Sequence, residues 1–226
     1  MELPHNLGTR VGILGGTFDP VHNGHLAVAE VVRQELALSG ILFVPAFSPP
    51  HKPTCAISAF QHRAAMLDIA VADRPGYFVS RMEAKREGPS YSIDTLRTLA
   101  HGFGKDVHLF FIIGMDAFAE VFTWKEQGKL FDHASFVVVG RPDHCKQSCS
   151  QTVADNFPGY VFVEALGSWQ GQPGQGSICP IAMPPVKISS TEIREAVRQG
   201  RPISNHVPVA VADYIQAHGL YRGNMP

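Results

Sequence analysis

The segment GGTFDPVHNGH, residues 15–25, brings together groups that can hold an anion. Its two glycines follow a short apolar run and let the backbone approach a ligand closely. Thr17 adds a hydroxyl, and His22 and His25 stand three residues apart, which puts both rings on one face of a helical turn. The start of a helix offers free N–H groups and about half a positive charge. The segment therefore predicts a phosphate site.

Simpler interpretations exist for the single residues of this segment. A lone histidine is commonly a surface or capping residue, and Asp19-Pro20 is most simply a turn whose carboxylate bonds nearby backbone. The segment lacks the lysine of a P-loop and the three spaced glycines of a dinucleotide fold. Two imidazolium ions at a helix start would be unfavourable, so we expect a strongly negative group between His22 and His25.

A second motif, ISSTEIR at residues 188–194, also favours a phosphate. Ser189 and Glu192 have the spacing of a capping box, so helix initiation alone could explain part of it. The capping box does not explain Arg194, because a guanidinium in the first turns of a helix opposes the helix dipole. A phosphate reverses the sign of that interaction and could be held by the guanidinium together with the hydroxyls and N–H groups of residues 189–191.

Alternating strand and helix patterns must position both motifs. Short apolar runs predict strands at residues 10–14, 41–45, 77–80, 107–113, 135–139 and 160–165. Apolar residues at helical spacing lie between most of these runs. The alternation is typical of an α/β fold, here a Rossmann-like doubly wound parallel sheet with a small C-terminal helical portion. Ligands of such sheets bind beyond the carboxyl ends of the strands.

The 226 residues are interpreted as one domain with three distinct segments. Residues 1–9 are expected to form a leader, and residues 187–226 to contain two amphipathic helices. Residues 143–180 are rich in Gly, Gln and Ser and are interpreted as a loop-rich insertion. Within it, GSWQGQPGQGS at 167–177 is expected to be a flexible surface loop.

Composition disfavours several classes of protein. The chain is 45% hydrophobic and 17% charged with a net charge of −1, unlike a broadly basic nucleic-acid binder. Its four cysteines show neither C-x-x-C nor paired zinc spacing, and no apolar run reaches the length of a membrane span. We therefore expect a cytoplasmic protein with reduced thiols and with no nucleic-acid or membrane partner, and a homo-oligomer stays open.

GGTFDPVHNGH resembles the H-x-G-H signature of the nucleotidylyltransferase superfamily, and ISSTEIR resembles its second signature. The resemblance implies that His22 and His25 stabilise the reacting α-phosphate of ATP and that Arg194 holds the outer phosphates. It also implies an ATP-binding set drawn from both motifs, namely Gly15, Gly16, Thr17, Phe18, Gly24, Ile188, Ser189, Ser190 and Thr191.

Three further segments resemble the bacterial nicotinate-mononucleotide adenylyltransferase family: VPAFSPPHK (44–52), GPSYSIDTL (88–96) and FFIIGMDAFAEVFTWK (110–125). That family transfers AMP from ATP to nicotinate mononucleotide. The resemblance implies Mg²⁺ that enters with ATP and is held mainly by phosphates and water, with no protein ligand named. It implies Lys52 as a further catalytic cation. The implied acceptor-binding residues are Ser90, Tyr91, Ser92, Asp116, Trp124 and Arg141.

Alternatives stay open for these acceptor residues. Trp124 offers a flat face to a pyridinium ring, although single tryptophans are commonly core residues. Ser92 could instead cap a helix, and Asp116 could be a turn residue at a strand end. Rival functions are a sister enzyme that uses phosphopantetheine or the amide mononucleotide, and a non-catalytic nucleotide sensor. GPSYSIDTL with Trp124 argues against phosphopantetheine, and the full set of charged groups argues against a sensor.

Overall fold

The computed structural model describes residues 7–50, 57–142, 145–184 and 187–223. Within these ranges the strands are β1 (Arg10–Gly16), β2 (Gly40–Pro45), β3 (Tyr77–Val79), β4 (His108–Gly114), β5 (Ser135–Gly140), β6 (Val161–Val163), β7 (Ser168–Gln170) and β8 (Ile178–Ala182). The α-helices are α1 (Asn23–Glu35), α2 (Phe60–Val71), α3 (Ser92–Phe103), α4 (Met115–Ala119), α5 (Cys145–Asn156), α6 (Ser190–Arg198) and α7 (Val209–Ala217). None of these helices is long and apolar enough to cross a membrane.

The strands form one sheet in the order β3-β2-β1-β4-β5-β8-β7-β6. All neighbours from β3 to β8 are parallel, and β7 and β6 continue the sheet antiparallel. The chain runs outward from β1 through β2 to β3, then returns to place β4 on the other side of β1. Ligands of doubly wound sheets bind at such a switch point. The predicted fold class is confirmed.

Both faces of the sheet are covered, as the apolar strands require. Along β4, Phe110 and Ile112 pack into a core with α1, α2, α6 and α7. The alternate residues Phe111 and Ile113 pack into a second core with α3, α4 and α5. Because successive side chains of a strand point to opposite faces, one apolar run supplies both cores. The helical portion predicted for residues 187–226 corresponds to α6 and α7, which belong to the first core.

The loop-rich character predicted for residues 143–180 is wrong over the described residues 145–180. Helix α5 buries Cys145, Cys149 and Val153 along one stripe, and β6, β7 and β8 extend the sheet. The expected flexible loop contains β7, whose Trp169 is only 5% exposed and packs edge-on against Phe162. Two cysteines at i, i+4 form most of the stripe of α5, and β7 has three residues. Neither element therefore carries a strong periodic apolar pattern.

The predicted leader at residues 1–9 is also corrected where the structure describes it. Residues 1–6 lie outside the described ranges. Leu7 is 1% exposed and packs into the second core, and the Thr9 carbonyl accepts a hydrogen bond of 2.7 Å from the His108 N–H. Residues 7–9 are therefore part of the fold, because burial of Leu7 and pairing beside β4 tie them to the sheet.

Candidate active site

Two adjoining cavities open at the carboxyl ends of β1, β4 and β5. The smaller has a volume of about 440 Å³ and reaches β2 and α3, and the larger has a volume of about 600 Å³ and reaches α5 and residue 188. His25, Val28, Gly114 and Val139 line both cavities. The two spaces therefore meet at a wall that carries one imidazole.

The loop between β1 and α1 is fixed by hydrogen bonds from other parts of the chain to its backbone carbonyl groups. Donors from three other parts of the chain reach the carbonyl of the last β1 residue and three carbonyls of the loop: Ala46 N to Gly16 O (2.8 Å), Arg63 Nη1 to Thr17 O (2.7 Å), Arg194 Nη1 to Asp19 O (2.8 Å) and Ser190 Oγ to Pro20 O (3.0 Å). These oxygens, which would repel a phosphate, are thus engaged by protein donors. The loop is fixed where an anion is expected.

Asp19 has a wider structural role than the predicted local turn. Its side chain is 2% exposed and accepts hydrogen bonds from the Tyr221 hydroxyl at 2.7 Å and from the Ser58 N–H at 3.2 Å. The prediction of bonds to nearby backbone is wrong, because both donors are distant in sequence. Burial and the acceptance by Asp19 raise the pKa of Tyr221, so its hydroxyl stays a donor. Asp19 therefore anchors the loop to the C-terminal segment.

His22 and His25 are arranged by the start of α1. His22 is the N-cap residue and His25 lies in the first turn, with their rings stacked at 3.7 Å between centroids. The His22 backbone N–H donates to Nδ1 of His25 at 3.3 Å. With Nδ1 as an acceptor, a neutral His25 carries its proton on Nε2. The ring of Phe18 packs edge-on against the ring of His25, at 4.9 Å between centroids.

The charge state of His22 differs from the expected pair of cations. Burial, and secondly the nearby His206, lower the pKa of His22 to about 4. His22 is therefore neutral near pH 7, which removes the unfavourable imidazolium at the helix start. A neutral ring has one N–H to donate. The site offers an anion hydrogen bonds from uncharged imidazole rather than a preformed positive charge at His22.

The second motif docks against the first. Ser189 and Glu192 form the predicted capping box, with hydrogen bonds of 3.2 Å and 3.0 Å. Arg194 donates to the Asp19 carbonyl and, at 3.3 Å, to the Thr191 hydroxyl. A phosphate is therefore not needed to explain Arg194, although its five donors are not exhausted by two acceptors.

The smaller cavity gathers the residues predicted around the pyridine ring. It is lined by Ser90, Ser92 and Trp124, together with Gly15 and Gly16. Trp124 stands edge-on to Phe111, at 6.3 Å between ring centroids, and is only partly buried. Ser92 is the first residue of α3 and Tyr91 is the N-cap, so Ser92 does not have the alternative capping position.

Two buried charged residues at this cavity belong to none of the sites predicted from the sequence. Glu83 is 7% exposed, lines the cavity and accepts hydrogen bonds from Thr95 Oγ1 at 2.6 Å and Phe47 N at 3.2 Å. Arg63 is 1% exposed and also donates to the Ala46 carbonyl at 2.8 Å, behind the cavity wall. Their partners are distant in sequence, so neither stands in a spacing that could have revealed it.

The larger cavity holds the remaining predicted residues. It is lined by His22, Gly24, Asp116, Arg141 and Ile188. Asp116 and Arg141 are thus separated from Trp124, although the sequence assigned all three to the acceptor. Their assignment stays a prediction, and their position beside His22 and Ile188 makes ATP a second candidate ligand.

Other predicted residues line neither cavity: Thr17, Phe18, Tyr91, Ser189, Ser190, Thr191 and Arg194. The Phe18 side chain is 1% exposed, so only its backbone is left for a ligand. Lys52 lies outside the described residues, and its role stays a prediction.

The doubly wound fold and the two sequence motifs are those of the nucleotidylyltransferase class. In agreement, the family described as Cytidylyltransferase-like matches residues 13–196. A protein of Geotalea daltonii named "Probable nicotinate-nucleotide adenylyltransferase" is 41% identical over 216 residues, covering 94% of this chain and 98% of the relative. A Thermus thermophilus protein of the same name is 41% identical over 213 residues, covering 94% and 100%. The chain belongs to the nicotinate-nucleotide adenylyltransferase family.

Solved structures agree on the fold. The Plasmodium falciparum nicotinic acid mononucleotide adenylyltransferase complexed with NaAD is similar with a TM-score of 0.70, over 96% of this chain and 100% of that one. The sequence identity is 20%, so the likeness concerns the fold alone.

Proposed function

We propose that the chain transfers the adenylyl group of ATP to nicotinate mononucleotide and releases nicotinate adenine dinucleotide and pyrophosphate. The observation that carries the proposal is the position of His25 on the wall shared by the two cavities. Transfer between two nucleotides requires two binding spaces that meet at the reacting phosphate, because proximity supplies much of the rate. The names of the relatives supply the identity of the substrates.

Nicotinate mononucleotide fits the smaller cavity. Its pyridinium ring would stack on Trp124, a contact that is partly cation–π. Its carboxylate would accept from the Ser92 hydroxyl and from N–H groups at the start of α3, the end of a helix that favours anions. Ser90 sets the position of this turn, since its hydroxyl accepts from the Ser48 N–H at 3.0 Å and its own N–H donates to the Ser48 carbonyl at 2.8 Å. Tyr91 follows as the N-cap residue of α3.

ATP fits the larger cavity with its triphosphate toward the first turn of α1. Gly24 and Ile188 line this space, whereas Gly15 and Gly16, which the sequence also assigns to ATP, line the smaller cavity. The outer phosphates would be held by residues 189–191, by the remaining donors of Arg194 and by Lys52.

The reaction is an in-line displacement at the α-phosphorus of ATP. A phosphate oxygen of the acceptor attacks and forms the new P–O bond, and the bond between the α-phosphorus and the bridging oxygen breaks with pyrophosphate leaving. The nucleophile is already ionised near neutral pH, so no general base is needed. His25, through Nε2–H, and His22 would donate hydrogen bonds to α-phosphate oxygens as charge develops. Arg194 and Lys52 would offset charge on the leaving pyrophosphate.

Mg²⁺ would enter with ATP. Among the described residues no group of three or more His, Cys, Asp or Glu side chains has metal-binding geometry, and Asp116 is the acidic side chain of the larger cavity. This donor set fits a cation bound mainly by phosphates and water, with Asp116 as its candidate protein contact. Bound in this way, Mg²⁺ would neutralise triphosphate charge.

The cysteines 145, 149 and 179 are unpaired thiols, which supports a cytoplasmic location.

The deciding experiment measures pyrophosphate release from ATP and Mg²⁺ with nicotinate mononucleotide or its amide analogue at matched concentration. We expect pyrophosphate release with the acid and at least tenfold less with the amide. The donors that bind the carboxylate of the acid would be left incompletely paired by the amide. Equal release would show that the cavity does not select the carboxylate. No release from folded protein would favour a sister acceptor or a nucleotide sensor.

A further inference from the structure

His22, the N-cap residue of α1, has an unexplained neighbour. Among the described residues, Nδ1 of His22 and Nδ1 of His206 are both buried without a hydrogen-bond partner. The His25 N–H faces the His22 side chain as in a capping box, but it donates to the His22 carbonyl at 2.9 Å. His206 lies in the loop between α6 and α7, a position that no catalytic motif covers. Buried polar atoms are normally hydrogen-bonded, so two unpaired nitrogens call for an explanation.

The backbone holds the two histidines next to each other. The His206 carbonyl accepts from the N–H of Asn23, the residue after His22, at 2.8 Å, and the Asn205 carbonyl accepts from Asn23 Nδ2 at 3.3 Å. The loop is thus fastened to the first residue of α1. His22 is 7% exposed and caps α1 directly before Asn23, so the backbone places the His22 and His206 side chains at the same end of that helix. The lowered pKa of His22, to which His206 contributes after burial, agrees with this placement.

The proposed reaction places a requirement on the His22 tautomer. His22 lines the larger cavity, and it can donate to an α-phosphate oxygen there only with its single proton on Nε2. Nδ1 is then a bare acceptor inside the protein. In metal sites, the group that bonds the second nitrogen of a histidine fixes its tautomer and ring orientation. The same rule applies to a histidine that faces a phosphate.

We propose that His206 is a positioning residue for His22, resting on the proposed adenylyl transfer. In this arrangement Nδ1–H of His206 donates to Nδ1 of His22, through one buried water or after a small rotation of either ring. The bond fixes His22 as the Nε2–H tautomer and orients it toward the α-phosphate. His206 itself does not touch the substrate.

The test combines three variants with one spectroscopic measurement. His206→Leu removes the donor, His206→Asn replaces it with an amide nitrogen at the position of Nδ1, and His101→Leu at an exposed site of α3 is the matched control. We expect His206→Leu to lower kcat about 10-fold or more, the usual effect of losing such a partner, with the KM of ATP changed less than threefold. His206→Asn should recover most of kcat, and His101→Leu should behave as wild type.

The tautomers are read directly from ¹⁵N imidazole chemical shifts of the substrate-free protein. Wild type should show His22 as Nε2–H and His206 as Nδ1–H, and His206→Leu should show a mixture of tautomers at His22. A wild-type His206 protonated on Nε2, or a His206→Leu variant with kcat within twofold of wild type, would overturn the proposal. Because the spectrum needs no substrate, the expected tautomers in a protein without adenylyl transfer would refute the proposed function and leave the His22–His206 bond standing.

Discussion

The two cavities differ in how their walls are held. The smaller cavity has an aromatic and aliphatic wall backed by a buried polar network, in which Arg63 and Glu83 hold the backbone at Ala46 and Phe47. The larger cavity is lined by the ends of β4 and β5 and by exposed side chains such as Arg141. A ligand in the smaller space meets a shape fixed before binding, whereas a ligand in the larger space is met by groups that adjust.

This difference separates two kinds of specificity. A preformed pocket with few polar groups discriminates by shape and by unpaired donors, which suits a small aromatic acid. A polar space beside a helix start binds any triphosphate through charge, so selectivity there is expected to be lower. Substitutions in each cavity should therefore change the KM of one substrate, and substitutions on the shared wall should change kcat.

The largest effect is expected at the shared wall. His25→Ala removes a hydrogen-bond donor to the α-phosphate in the transition state of the transfer. We expect kcat to fall by about 10²–10³. Stopped assays of pyrophosphate release measure it, with thermal unfolding as the check on folding. His101→Leu, at an exposed position near the end of α3 that lines neither cavity, is the matched histidine control. Turnover within threefold of wild type would contradict the role given to the shared wall.

The next effect is on the free energy of unfolding and comes from His22, which lines the larger cavity. The pKa of His22 is about 4 in the folded protein, below its ordinary value of 6.5, because of burial and of His206. As pH falls from 6.5 toward 4 the unfolded chain takes up a proton that folded His22 does not, so stability is lost with falling pH, by up to roughly 3 kcal/mol. Urea unfolding at both pH values measures the loss. His22→Gln should flatten it, and parallel curves for the two proteins would contradict the burial argument.

A smaller effect should be confined to the smaller cavity. Trp124→Ala removes the aromatic face, and a stacked base is worth about 1–3 kcal/mol, so the KM of nicotinate mononucleotide should rise about tenfold. The KM of ATP should stay within twofold. Trp124→Phe keeps a ring and should lie between the two. A parallel rise for both substrates would mean that the cavities are not independent.

The sequence predicts those parts of the molecule whose signal is local. The buried strands, the H-x-G-H turn and the capping box of Ser189 could all be predicted because each depends on neighbours within a few residues. The roles of Arg63, Glu83 and His206 could not, because their partners are brought near by the sheet. Helix α5 was missed for a related reason: cysteines form two of the three buried positions in its stripe.

Arg141 has two candidate ligands, one predicted from the sequence and one favoured by its position in the larger cavity. The sequence assigns Arg141 to nicotinate mononucleotide, whereas the structure places it in the larger cavity with His22 and Ile188. We therefore expect Arg141→Ala to raise the KM of ATP and leave that of the acceptor unchanged. The rise should be small, about fivefold or less, because exposed ion pairs contribute up to about 1 kcal/mol. Arg201→Ala, also exposed, is the control for a lost surface charge. A rise in the KM of the acceptor alone would show that the mononucleotide extends past His25, so that the larger cavity serves both substrates.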